Sequence, residues 1–211
     1  MKIFVVRHGE TEWNREEVFR GRKDIPLNET GLWQAGRTGV FLADKNVSAI
    51  YSSPLSRAQQ TASKISEATG VPVKLDESYT DMDFGPWEGL SLRAVQERYP
   101  ETFDTWRRYP HRFRIEGAET LTQVRKRVRR GLHSAQSEGG PTVVIVTHRV
   151  ICKLLALHFL DVSNRFFWRI KCDPASITLA EQAGEEITVS MVNQTLHLQD
   201  QAAVRSEYRD F

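Results

Sequence analysis

Three short apolar runs, "IFVV" (3–6), "AIYSS" (49–53) and "TVVIVT" (142–147), each end in a polar turn, and a helical pattern follows each of them. Runs without apolar–polar alternation suit strands buried on both faces, as in a parallel sheet covered by helices on either side. After the first run, a helix is expected over about 31–45, with Leu32, Ala35, Gly39 and Leu42 on one face. After the second, Ser53-Pro54 read as helix cap and first helical residue, and Gly70 as the stop. After the third, "VICKLLALHFL" continues as a helix. Near the end, "SITLAEQ" and "EITVSMV" flank Ala183-Gly184 as a hairpin at one side of the sheet. The fold class this predicts is α/β: a three-layer α/β/α sandwich with a mainly parallel central sheet, in one domain spanning 1–211.

Residues 82–117 break the rhythm. Seven of these 36 residues are aromatic (Phe84, Trp87, Tyr99, Phe103, Trp106, Tyr109, Phe113), about twice the chain's 9%. The stretch offers short helical patterns and no strand, and reads as a small helical cap inserted into the sheet domain, with its own aromatic cluster. Such insertions can cover a site.

Composition narrows the function classes. A net charge of +2 over 211 residues gives no reason to expect nucleic acid or an acidic membrane as partner. The one dense basic stretch, "VRKRVRR" (124–130), is accounted for by periodicity. Leu121, Val124, Val128 and Leu132 form an apolar stripe, which assigns the basic residues to a solvated outer face. No run approaches the ~20 apolar residues of a bilayer span, and the start lacks a signal-peptide pattern. Cys152 and Cys172 show no CxxC spacing and read as small buried hydrophobes of a reducing, cytoplasmic setting. The sequence does not fix an oligomeric state; a homodimer is compatible with it and is the commonest closed assembly.

Ligands of open α/β sheets bind outside the carboxyl ends of the strands. The first strand end supplies Arg7 and His8, and the third supplies His148. The second supplies Arg57, in a first helical turn that already favours an anion. A lone histidine at a strand end is more often structural, and the weight lies in the coincidence at three corresponding positions. Arginine forks match phosphate oxygens bidentately, so the implied ligand is a phosphate. The short amide of Asn14 is within reach of a phosphate beside His8. His111, His133 and His158 carry no such coincidence and read as structural. The spacings HxH and HExxH are missing, which argues against a metal hydrolase built on His8, Glu10 and His148.

The segments "RHGETEWN", "RGRKDIPLNETG", "IYSSPLSRAQQTA", "DMDFGPWEG", "IEGAETL" and "VTHR" occur in the order seen in the histidine phosphatase (phosphoglycerate mutase-like) superfamily. The chain resembles that family over nearly its whole length. "YPETFDTW", "CDPAS" and "LHL" look most like its metal-independent phosphoserine phosphatase branch and related small-molecule phosphatases. The resemblance implies His8 as nucleophile, forming a phosphohistidine. Arg7, Arg57 and His148 would hold the phosphate, assisted by Asn14. No metal or cofactor is implied, and the expected partner is a small phosphorylated metabolite. The sequence offers Asp81, Asp83 and Glu88 as proton donor: alternation does not separate Asp81 from Asp83, Glu88 reads equally as a structural acceptor in a turn, and family spacing selects Asp81. Gly21 and His197 are expected on the substrate side.

Two departures from the family pattern stand out: Asp81 occupies the place of a usual glutamate, and Arg149 that of a usual glycine. The expected activity is phosphomonoester hydrolysis. The alternatives are a cofactor-dependent mutase of the same superfamily, whose cap is usually longer, and a non-catalytic phosphate-binding module.

Overall fold

A computed structural model describes residues 1–199. In chain order the elements are β1 (Lys2–Arg7), α1 (Glu12–Arg15), α2 (Glu29–Leu42), β2 (Ala49–Ser52), α3 (Ser56–Thr69), β3 (Val73–Leu75), α4 (Leu92–Arg98), α5 (Pro100–Arg108), α6 (Leu121–Glu138), β4 (Thr142–Thr147), α7 (Arg149–Phe159), β5 (Ile177–Ala183) and β6 (Glu186–Gln194). The six strands form one sheet in the order β3-β2-β4-β1-β5-β6. The first four in that order run parallel, and β5 and β6 join as the expected antiparallel hairpin. The fold is the α/β sandwich expected from the strand runs.

Alternate strand residues face opposite layers, as a pleated strand requires. Ile3, Val5, Val143 and Ile145 pack with α6 and α7 residues such as Val124, Leu132, Ile151 and Leu154. Phe4, Val6, Val144 and Val146 pack with Leu42, Ala58, Ala62 and Ile65 of α2 and α3. Both faces of the central strands are therefore dry, which explains their unbroken apolar runs.

Three local expectations need correction. On α2 the buried stripe is Gly31, Gln34, Ala35, Thr38, Gly39 and Leu42, whereas Leu32 is 41% exposed. Ala35, Gly39 and Leu42 are buried as expected, and the departure is confined to the first turn, where Gly31 takes the inward place. Asn28 caps Gly31 N–H and also donates to the Glu10 carboxylate, so Gly31 lies against the Glu10 backbone. Second, α3 starts at Ser56 after Leu55, so Ser53 is not its cap. The Ser53 hydroxyl instead lies 2.7 Å from Nε2 of His148. Gly70 does end α3, at φ +75°, in the left-handed region that favours glycine.

Third, the aromatic cluster is not private to residues 82–117. Phe84, Trp87, Trp106 and Phe113 interlock with Phe19 before the segment and Phe167 after it. They belong to the same core that covers the sheet, while Tyr109 is left half exposed. The segment holds α4, α5 and 3-10 turns at Gly85–Trp87 and Pro110–Arg112, with no strand.

Gly9, just beyond β1, owes its identity to a close backbone approach. A Cβ there would sit 2.4 Å from the Gly31 carbonyl oxygen, so the loop carrying His8 rests directly on the first turn of α2. Gly9→Ala should therefore destabilise the protein by about 1–3 kcal/mol, the usual cost of overpacking. Gly36→Ala, also on α2 but with open space at its Cβ, should stabilise by about 1 kcal/mol through helix propensity. Thermal melts of the two variants check the contrast, and equal melting temperatures would contradict it.

Candidate active site

The parallel order β2-β4-β1 sets three strand ends side by side. Arg7 pairs with Thr147, and Ser52 with Val146. His8 and His148 each follow directly, and their ring centroids are 5.2 Å apart. Both rings are fully buried. Arg57, in the first turn of α3, closes the third side: its Nε donates to Nδ1 of His148 at 3.2 Å. Its terminal nitrogens donate to the Lys23 and Gly21 carbonyls, each at 2.8 Å. Arg7 donates to the Cys172 carbonyl, and its Nε has no protein partner.

The hydrogen bonds fix both tautomers. A carbonyl can only accept, so the 2.6 Å contact to the Gly9 oxygen puts the proton of His8 on Nδ1. Its Nε2 is left as a buried lone pair with no protein partner. In His148 the guanidinium Nε–H can only donate, so Nδ1 is the acceptor and Nε2–H donates to Ser53. Burial, followed by the charges of Arg57, Arg7 and Arg20, holds His8 well below the ordinary imidazole value. Burial and Arg57, with smaller contributions from His8 and Arg20, do the same for His148. Both imidazoles are neutral at physiological pH.

Of these three candidate acids, Asp81 reaches this space. Asp81 is buried, with Oδ2 3.5 Å from Arg57 and 3.8 Å from Nδ1 of His148. Asp83 accepts from Gly85 N–H at 2.8 Å, and Glu88 accepts from the backbone of Arg22 and Phe84, so both are turn acceptors.

The remaining sequence candidates fall into place unevenly. The Asn14 oxygen accepts from Thr11 N–H and hydroxyl in a capping box, which leaves only its amide N–H groups to offer a ligand. Gly21 has φ +50°, and a Cβ there would collide with the Glu88 carboxylate; its carbonyl holds Arg57. His197 contacts Thr38, Gln194 and the Phe41 ring, none of which belongs to the cluster. Burial, with Arg37 beside it, pushes its imidazole down to about 4.

Sequence reasoning missed two arginines. Arg127 is one of the basic residues assigned to the outer face of α6. It turns inward, bonding the carbonyls of Ser78, Thr80 and Asp81 and both oxygens of Glu119. It therefore fixes the loop that carries Asp81. Arg20 sits in the loop before α2, and its charge acts on both site histidines. Neither could be told from a solvated arginine by spacing. Among the described residues, no group of three or more His, Cys, Asp or Glu is placed to hold a metal ion.

The arrangement matches known proteins along nearly the whole chain. The sequence profile described as "Histidine phosphatase superfamily (branch 1)" matches residues 3–195. The chain belongs to the histidine phosphatase superfamily. Its phosphatase members are enzymes that hydrolyse phosphate esters, and this protein is a phosphatase of that kind. It is similar to Phosphoserine phosphatase 1 of Hydrogenobacter thermophilus, 34% identical over 199 residues that cover 94% of each chain. It is equally similar, over 200 residues, to the Bifunctional protein Rv2228c of Mycobacterium tuberculosis; the match covers 93% of this chain but 55% of that longer protein. Among solved structures, Bacillus stearothermophilus YhfR superposes with a TM-score of 0.89 at 30% identity, covering 94% of this chain and 99% of that one. The histidine phosphatase fold thus accounts for the sheet order and for the strand ends that bear the cluster.

Proposed function

We propose that this phosphatase hydrolyses a small phosphorylated metabolite in two steps through a phosphohistidine on His8, without a metal ion. The single observation that carries the reading is the bare Nε2 of His8, buried and ringed by arginines. A neutral imidazole is nucleophilic, and here its proton is parked on the Gly9 carbonyl side. Arg7 and Arg57 supply the positive charge that phosphoryl transfer needs most, with the Asn14 amide as a further donor to the phosphate oxygens, and His148 joins them by turning its Nε2–H from Ser53 to the phosphate.

In the first step, Nε2 of His8 bonds to phosphorus as the ester P–O bond breaks. Asp81, protonated, gives its proton to the leaving alkoxide. In the second step, water attacks phosphorus, the N–P bond breaks, and the Asp81 carboxylate takes the proton of the water. The acid and the base are thus one group. Similarity to a phosphoserine phosphatase supports O-phosphoserine as the first ester to try.

A phosphate-release screen over phosphorylated metabolites tests the reading, run in excess chelator with and without 2,3-bisphosphoglycerate. Release from at least one ester, unchanged by chelation, is the expected result. A strict requirement for added zinc or magnesium would overturn metal independence. Isomer formation that depends on the bisphosphate would favour a mutase, and binding of phosphate without any release would favour a non-catalytic module.

A further inference from the structure

We propose that Arg127 and Glu119 are positioning residues for the proton donor: clasped to each other, they hold the backbone around Asp81 where its carboxyl meets the leaving group. This inference rests on the proposed role of Asp81 and assigns what keeps that role in place. Residues 80–84 lie between two 3-10 turns, Glu77–Tyr79 and Gly85–Trp87, and belong to no helix or strand. Thr80, Asp81 and Met82 are nevertheless buried, so their backbone groups need partners from outside the segment. An aspartate also has a short reach. One methylene separates its carboxyl from the backbone, so a backbone shift carries the acid with it. Asp81 Oδ1 accepts from Met82 N–H at 2.9 Å, which leaves Oδ2 as the oxygen facing Arg57 and His148.

Arg127 supplies the missing partners from α6. Its Nη1 donates to the carbonyls of Ser78 at 2.9 Å and Thr80 at 2.7 Å, and its Nη2 to that of Asp81 at 3.0 Å. Its Nε and Nη2 also meet the two oxygens of Glu119, each at 2.9 Å, a paired geometry that fixes the guanidinium in plane and direction. Glu119 in turn grips Asp83 twice. Its Oε2 accepts from Asp83 N–H at 3.0 Å, and its own N–H donates to the Asp83 carbonyl at 2.9 Å. One pair of side chains thus holds the chain on both sides of the Asp81 carboxyl. The two are only 12% and 18% exposed, where losing one partner costs far more than at the open surface. The phosphate-binding arginines hang elsewhere: Arg57 on the Gly21 and Lys23 carbonyls, and Arg7 on that of Cys172. Loss of the clasp should therefore disturb proton transfer and spare phosphate binding. Arg125, two residues earlier on α6, offers a contrast, because it bonds the Val162 carbonyl and the Asn164 side chain beyond α7.

Burst kinetics with two esters test this: an alkyl phosphate accepted in the phosphate-release screen, and nitrophenyl phosphate. Arg127→Gln should slow phosphoenzyme formation from the alkyl ester by roughly 10–100-fold, the scale of a misplaced acid, with KM changed much less. Phosphoenzyme formation from nitrophenyl phosphate should change by less than about threefold, since that leaving group needs no proton. Glu119→Ala should reproduce the split and carries the same comparison if Arg127→Gln folds poorly. Glu119→Gln, which keeps an oxygen for Asp83 N–H, should restore part of the rate. Arg125→Gln should lower the melting temperature without any split between the esters. In the Asp81→Asn background Arg127→Gln should add little, because a residue that acts through the acid has nothing left to place. Equal losses on both esters, or a full further loss on top of Asp81→Asn, would overturn the proposal. A split in Asp81→Asn but in neither clasp variant would refute the clasp alone, whereas no split in Asp81→Asn would refute the acid and the clasp together.

Discussion

His8→Ala should lose phosphatase activity by roughly 10⁴-fold or more, the scale expected when a covalent nucleophile is removed. His8→Gln should be equally inactive, because an amide nitrogen is not a nucleophile. Circular dichroism should show both variants folded, since Val5, Val6 and the two cores that hold β1 are untouched. The pH dependence follows from the same geometry. Burial, with Arg57, Arg7 and Arg20 nearby, lowers the folded-state pKa of His8 below the ordinary 6.5. The nucleophile therefore remains neutral as pH falls through 6.5 and is lost only well below it. Stability carries the same sign: the unfolded chain binds this proton first, so the contribution is complete above about pH 6.5 and is lost as pH falls towards the folded-state value. An activity profile whose acid limb sits at 6.5 and tracks His8 would contradict this environment.

Asp81→Asn should slow hydrolysis of alkyl phosphates by roughly 10²–10⁴-fold, the range of general acid–base assistance. The effect should depend on the leaving group. A serine or sugar alkoxide leaves poorly without a proton, whereas nitrophenolate leaves readily without one. Phosphoenzyme formation from nitrophenyl phosphate should therefore fall far less, although water attack still slows because the same carboxylate then acts as base. Burst kinetics separate the two steps. The structure sharpens the comparison with Asp83→Asn, which keeps an oxygen to accept from Gly85 N–H and loses only the charge 3.9 Å from Arg22. That variant should leave stability nearly unchanged and show no leaving-group signature. The reverse pattern would move the acid by two residues.

How legible this was depended on whether a residue's job leaves a period or a position in the sequence. The unbroken runs around Val5 and Val144 could only be two-faced strands, and the strand-end rule then brought Arg7, His8, Arg57 and His148 to one edge. The packing face of α2 was misread at Leu32 because a backbone contact between Gly31 and Glu10, invisible in hydrophobic patterning, sets the helix rotation. Arg127 was misread for the opposite reason. Helical periodicity correctly buried Val124 and Val128, but a long side chain on the polar face can still fold back onto carbonyls. Arg20 sits in an irregular loop where neither period nor cap applies, and only the fold, which anchors Arg57 on the carbonyls of neighbouring Gly21 and Lys23, brings its charge to the histidines. Ser53 looked like a helix cap because Ser-Pro is a good one; the histidine that donates to its hydroxyl oxygen lies 95 residues away.

The central claim is that phosphate passes through Nε2 of His8, and rapid acid- or base-quench trapping with labelled substrate tests it most directly. Phosphohistidine is acid-labile, so the base quench should retain label on the protein, and peptide mapping should place it on His8. The label should appear and decay at rates at least as fast as turnover, and the His8→Ala protein should carry none. Full turnover with no label on His8 at any quench time, or equal labelling of the His8→Ala protein, would contradict the account.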